Sequence, residues 1–326
     1  MTEPAEQVEA RTRFVIVPID LTAVDQLRAA LSGSVLTLDI APMQLYDVLA
    51  EVPVLTTASG PARGLVAEAV PTNTLAYDFE RHWLRGGFPE SLGADTDQAS
   101  LIWRRGLIAS LLARDYSRWD VPRTSRLPEI LRWAANQNGG ELDDTACPVA
   151  KRADLRSAIY VLDQLGITRR LPNYPAGSSS GLSKKPKLFI RDSGILHAVL
   201  GIETVEQFGN HSCIGNSWEG YAIEALIGAG AGRCSAQFYR VIGSDGYDEI
   251  DLVLDFPAPR GRLVAIECKV SPEQSARAGF FRGCDAIGAT DQFVVHSGAQ
   301  AVQGNSVDRL DLPTALRRVD AIAAGR

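Results

Sequence analysis

Two neighbouring segments near the C-terminal end constrain the fold most, Ile250-Asp-Leu-Val-Leu254 and Val264-Ala-Ile-Glu-Cys-Lys-Val270. Successive side chains of a strand point to opposite faces. Val264, Ile266, Cys268 and Val270 therefore face a core, and Glu267 and Lys269 share the other side. On the preceding strand Ile250, Leu252 and Leu254 form the apolar face, which puts Asp251 opposite. With residues 255–263 as the turn, the two strands pair as a hairpin that brings Asp251 beside Glu267. An aspartate, a glutamate and a lysine then converge.

Magnesium takes hard oxygen ligands, commonly one or two carboxylates completed by water and substrate phosphate. Phosphodiester hydrolysis also needs positive charge near the attacking water. Asp251 and Glu267 are the candidate Mg2+ ligands, and Lys269 is the candidate positive group. Glu219 is a fourth candidate: on a helix starting near Ser217, positions 219, 222, 223 and 226 form one stripe, read Glu-Ala-Ile-Leu, facing the sheet. Glu224 falls on the other side and reads as solvated. The plainer reading makes Glu267 and Lys269 an ordinary surface pair worth at most about 1 kcal/mol.

The 326 residues suit two or three domains, and 45% hydrophobic with 22% charged residues is enough for a proper core. No apolar run approaches the ~20 residues that cross a bilayer, and the acidic N-terminus is unlike a secretory signal, so a cytoplasmic location without membrane contact is expected. Five scattered cysteines form no CxxC pair and suggest neither disulfides nor a thiolate zinc site.

The net charge of -6 argues against a nucleic-acid partner until it is resolved locally. From Pro148 to Arg191 nine cations stand against two anions, and Lys151, Arg152, Arg156, Lys184, Lys185 and Lys187 are candidate nucleic-acid contacts.

Hydropathy patterning divides the chain into three. Strands at 13–20 and 35–40 alternate with helices at 22–31 and 43–51, an α/β fragment of the first 60 residues. Residues 53–74 read as loop. A helical region over 75–205 follows, with helices at 75–84, 100–116, 127–137, 144–152 and 154–165, then short strands at 167–172 and 187–190 flanking a Gly/Ser loop. Such a helix-turn-helix with a two-stranded wing reads as a winged helix. Residues 206–326 form a second α/β domain: a helix over 217–227, strands at 237–241, 250–256 and 263–270, a helix over about 272–287 and a strand at 292–296.

Gly228-Ala-Gly-Ala-Gly232 follows a helix, so it reads as a terminator and not a phosphate cradle. No GxxxxGK[ST] occurs, and the four histidines lack paired spacing; only His296, at a strand end, adjoins the candidate site.

Six segments carry a resemblance: Arg85-Gly-Gly-Phe-Pro89, Leu112-Ala-Arg-Asp115, Lys187-Leu-Phe-Ile-Arg-Asp-Ser-Gly-Ile-Leu196, Trp218-Glu-Gly220, Tyr239-Arg240 with Asp248-Glu-Ile-Asp251, and Ile266-Glu-Cys-Lys269. In this order they resemble prokaryotic AAA-type ATPases that end in a domain of unknown function of the PD-(D/E)xK, restriction-endonuclease-like group. The resemblance implies an ATPase remnant, a winged helix and a nuclease-like domain, with Asp251, Glu267 and Lys269 as its core and Glu219 as an added helix acid. Only thirteen residues precede Phe14, which leaves no room for a P-loop, so no ATP is expected. The leading expectation is a DNA-associated protein with magnesium-dependent phosphodiesterase activity. The alternative is a non-catalytic module that binds DNA or docks on another protein or ATPase subunit.

Overall fold

The computed structural model describes residues 53–56, 66–69, 79–113, 126–175, 185–243, 246–301 and 307–326. The α/β elements expected at 13–51, the Gly/Ser loop at 176–183, Lys184, Arg114 and Asp115 lie outside them.

Two compact units are formed. In the first, β1 (Pro53–Thr56) and β2 (Val66–Ala69) pair antiparallel, where the sequence reads as loop. Four-residue strands are too short to leave an alternation signal. The second unit holds every element from Phe79 onward, so the helical region and the C-terminal α/β domain share one compact body.

That unit begins with α1 (Phe79–Arg85), α2 (Pro89–Leu92), α3 (Asp97–Leu112), α4 (Leu127–Asn136) and α5 (Arg152–Gln164). The helix expected at 144–152 is absent; those residues form turns, in which Asp143 bonds Thr145 and so satisfies the local backbone without a helix. Strands β3 (Thr168–Leu171) and β4 (Lys187–Ile190) pair antiparallel, and Glu141 adds a single bridge to Lys187. Next come α6 (Ser193–Leu200) and α7 (Val205–Gly209).

The Arg85-Gly-Gly and Arg-Asp-Ser-Gly motifs meet here. Asp192 caps α6 through Ile195 N–H at 2.8 Å and takes Gly87 N–H at 2.8 Å through its other oxygen. A Cβ on Gly86, whose φ is +76°, would lie 2.2 Å from that carboxylate, and one on Gly194 would lie 2.1 Å from the Arg85 carbonyl. These motifs serve a close-packed joint. Buried Arg104 completes it, donating to the carbonyls of Leu84 and Gly194.

The C-terminal half runs α8 (Ile214–Ala229), β5 (Ser235–Gly243), β6 (Gly246–Phe256), β7 (Arg262–Lys269), α9 (Ala278–Ile287), β8 (Asp291–His296), β9 (Asp308–Asp311) and α10 (Leu312–Ala323). Its five strands stand in that order; β5, β6 and β7 are antiparallel, and β7, β8 and β9 are parallel. One face, with Leu252, Leu254, Val264, Ile266, Phe293 and Val295, packs in one core with residues of α8 and α10. The other, with Ile250, Val253, Ala265 and Val294, packs with Phe280 and Cys284 of α9. Both faces are covered, so β7 is buried from Leu263 through Cys268.

One expectation about this sheet needs correcting. Ile250 lies in the α9-side core and not with Leu252 and Leu254. Gln237 pairs with Val253 and Tyr239 with Ile250, so β6 carries an extra residue there. A β-bulge of this kind reverses the face alternation on one side of it.

Candidate functional site

The bulge sits where it re-aims Asp251. Register between β6 and β7 ends at Leu252 and Ile266, and beyond it Asp251 Oδ2 accepts the Cys268 N–H at 2.8 Å in place of a ladder bond. Glu267, 6% exposed, accepts from Lys269 Nζ at 2.5 Å. The three residues read from the strand pattern are thus neighbours, and Glu267 is no surface residue.

Two further carboxylates and a second ammonium complete the cluster. Lys187 Nζ of β4 lies 2.8 Å from Glu219 on α8, 2.8 Å from Glu249 on β6 and 3.6 Å from Asp251. Lys187 itself is buried, with its ammonium over the Phe238 ring. The site holds four carboxylates, Glu219, Glu249, Asp251 and Glu267, against two ammonium groups, Lys187 and Lys269.

Burial and crowding set the protonation. Burial pushes the Glu267 carboxyl up to about 8, and the charge of Asp251 adds to the shift against the opposing pull of Lys269. Burial likewise raises Glu219 to about 7, opposed by Lys187 and reinforced by Asp251 and Glu249. Burial works to lower both lysines, but the surrounding carboxylates outweigh it: Lys269 is held above its ordinary value and Lys187 well above. Both ammonium groups stay charged while two carboxyls resist ionisation, the pattern of a site short of positive charge.

Magnesium fits this donor set in chemistry and in charge. The ligands are hard carboxylate oxygens, two suffice for Mg2+, and a divalent ion would favour the ionised form of the two carboxyls that burial holds back. Among the described residues, no three His, Cys, Asp or Glu side chains stand ready to hold a metal. The reason is visible in the contacts: oxygens of Asp251, Glu219, Glu249 and Glu267 are turned to the Cys268 N–H, Lys187 and Lys269.

The basic segment is less available than its composition suggests. Lys187 is no surface contact; it is buried within the acid cluster. Arg152 and Arg156 both pair with Asp144, and Lys185 pairs with Asp143 at 2.7 Å. Lys151 is exposed ahead of α5. Glu224, read as solvated, is 3% exposed and clamped by Arg169 and Arg191, because the returning β3–β4 hairpin covers that side of α8. Gly228 to Gly232 end α8 as read, with Gly230 as its cap. His296 is buried on β8, its Nδ1 accepting the Gly298 N–H, and makes no bond to the cluster.

Sequence reasoning missed Glu249 and the role of Lys187. Glu249 directly precedes Ile250 of β6, and Lys187 opens β4 directly ahead of three buried apolar residues. A charge flush with a buried strand is the signal that could have found both.

Residues 76–206 match the family model described as Domain of unknown function (DUF8612). The chain is 29% identical over 242 residues to Uncharacterized protein Mb2031c of Mycobacterium bovis, and equally to Uncharacterized protein Rv2008c of Mycobacterium tuberculosis. These alignments cover 64% of this chain and 54% of each relative, so the chain spans about half the length of the curated relatives it matches. No solved structure matches. The DUF8612 stretch contains Lys187 and stops short of all four carboxylates.

Proposed function

We propose that the C-terminal half is a PD-(D/E)xK-type, nuclease-like domain of a nucleic-acid-associated protein, acting on phosphodiesters with magnesium. One observation carries the reading: Asp251 and Glu267 adjoin at the open end of the β6–β7 pair, with Lys269 two residues on and bonded to Glu267. The order helix, three antiparallel strands, helix, parallel strand, from α8 to β8, is the order read from the sequence for this domain and leaves the site at the end of the β6–β7 pairing.

Asp251 and Glu267 would hold the ion, which when bound polarises the phosphate and acidifies its water. Lys269 keeps its proton and presents a positive Nζ beside Glu267 that offsets charge gathering on the phosphate oxygens. Asp251, anchored through Cys268 N–H, keeps its second oxygen oriented. Helices α4 and α5, the β3–β4 hairpin and the Glu141 bridge support a winged-helix reading of the preceding segment. In that reading exposed Lys151 contacts phosphate, joined by Arg152 and Arg156 on release from Asp144 and by Lys185 on release from Asp143.

The test is cleavage of supercoiled plasmid with Mg2+ by the wild type, Asp251→Asn and Lys269→Ala, each checked for an intact melting transition. Both variants are expected to lose at least about 100-fold. Equal cleavage by wild type and Lys269→Ala removes the catalytic reading.

A further inference from the structure

Lys187 is the one member of the cluster that comes from outside the C-terminal α/β half. It opens β4, while its partners come from α8 and β6. Its ammonium reaches Glu219 and Glu249 at 2.8 Å, with Asp251 further off at 3.6 Å, and at 3% exposure it has no route to a substrate in bulk solvent. A lysine so placed is a counter-ion. Asp251 is also one of the two proposed metal ligands, and Lys187 Nζ stands 3.6 Å from its Oδ1, the oxygen that the Cys268 N–H leaves open. A divalent ion and this ammonium therefore seek the same oxygen and the same excess charge.

The hairpin that carries Lys187 is held at a second point. Arg169, on β3 opposite Phe189, and Arg191, directly after β4, both bond Glu224, one and a half turns beyond Glu219 on α8. Glu141, bridged to Lys187 through the backbone, also lies 3.5 Å from Arg240 of β5. The ammonium is thus tethered to a seated element and delivered to the acids by it.

We propose that Lys187 is an autoinhibitory counter-ion: a tethered ammonium that fills the acidic site in the resting chain and competes with a divalent cation for Asp251, Glu219 and Glu249. The inference rests on the nuclease-like reading for the identity of the competing ion. It adds that this site loads metal only at the expense of the contact between the β3–β4 hairpin and α8.

The probe is Mn2+ alone, titrated calorimetrically into the full chain, with melting followed in parallel. Lys187→Met is expected to melt below the wild type without metal, to bind Mn2+ at least about tenfold more tightly and to regain more of its Tm when Mn2+ is added. Arg105→Met, which removes an exposed cation paired with Glu203 on the surface, controls for net charge and should leave the Mn2+ affinity unchanged. Should Lys187→Met fail to fold, the double variant Lys187→Met/Glu219→Gln, which removes one charge of each sign, carries the same comparison. Equal Mn2+ affinity in wild type and variant overturns the proposal, and so does a gain matched by Arg105→Met. Plasmid cleavage on the same samples separates the two readings. Tighter Mn2+ binding without cleavage upholds the counter-ion and ends the nuclease reading; cleavage by wild type with unchanged affinity in the variant does the reverse.

Discussion

Glu267→Gln should stabilise the protein at alkaline pH and leave it nearly unchanged in mild acid. The Glu267 carboxyl is raised from 4.5 to about 8, chiefly by burial and then by Asp251. Between those values the folded chain holds a proton that the unfolded chain has released. Stability therefore falls as pH rises from about 4.5 to about 8, and levels off above that. At about 1.4 kcal/mol per unit the whole shift corresponds to roughly 5 kcal/mol. Glu219 rises for the same reasons within the same cluster, so the part that leaves with Glu267 alone is nearer 2 to 3 kcal/mol, on the order of 5 °C in Tm for a chain of this size. The glutamine mimics the protonated acid and retains an oxygen for Lys269 Nζ. The assay is thermal unfolding of both proteins at half-unit intervals from about pH 5 to about pH 9, without divalent ions, and only the difference between the curves matters, since groups outside the cluster titrate equally in both. The difference should open steadily from near zero and then stay constant. A parallel pair of curves, or a variant that loses stability at about pH 8.5, would refute a buried and charge-crowded carboxyl at this position.

Three other outcomes follow from the packing. Glu224→Ala leaves Arg169 and Arg191 without their buried carboxylate and should cost about 3 to 5 kcal/mol in urea unfolding; a loss below about 1 kcal/mol would mean that solvent already screens the group. Gly194→Ala puts a methyl 2.1 Å from the Arg85 carbonyl and should yield little folded protein, whereas Gly215→Ala on α8, with nothing within 4 Å, should raise Tm slightly through helix propensity. If the basic segment binds DNA, Lys151→Ala should weaken binding and lower the slope of log affinity against log salt by about 1, with a smaller effect for Lys185→Ala, whose ammonium is already paired with Asp143.

The centre of the C-terminal sheet was legible because β7 and β8 are apolar runs broken by charged or polar residues only near their ends. Leu263 to Ile266 read as a buried run, and Glu267 with Lys269 stood out at its end as either a site or a surface pair; the burial of Glu267 was not legible. Residue parity was less legible, since it assumes an unbroken ladder and the extra residue in β6 turns Ile250 to the α9 face. That same irregularity hid Glu249, which pattern alone leaves as one acid in a polar turn. Lys187 was hidden by its company. Lysines 184, 185 and 187 stand together, and a local charge count gives each the same weight, although Lys185 is exposed and Lys187 is buried. Position 187 begins a strand buried at all four residues, and charge counting does not weigh that.

The placement of Lys187 also bears on how the chain is divided. A boundary near residue 205 separates the stretch that resembles DUF8612 from the carboxylates, yet the ionic contacts cross it repeatedly: Lys187 with Glu219, Glu249 and Asp251, and Arg169 and Arg191 with Glu224. Apolar packing crosses it too, with Trp83 and Phe189 in the same core as Trp218 and Phe238. A bare apolar joint tolerates sliding, but a buried carboxylate tolerates only the geometry that keeps its cation, because separation leaves an unpaired charge in a poorly solvated site. Glu219 and Glu224 impose that condition at two points along one helix, so the β3–β4 hairpin is registered against α8 to within a hydrogen-bond length. A ligand that shifted the hairpin would break Lys187 from Glu219 and Arg191 from Glu224 together. The acidic site would gain exposed charge in the same step.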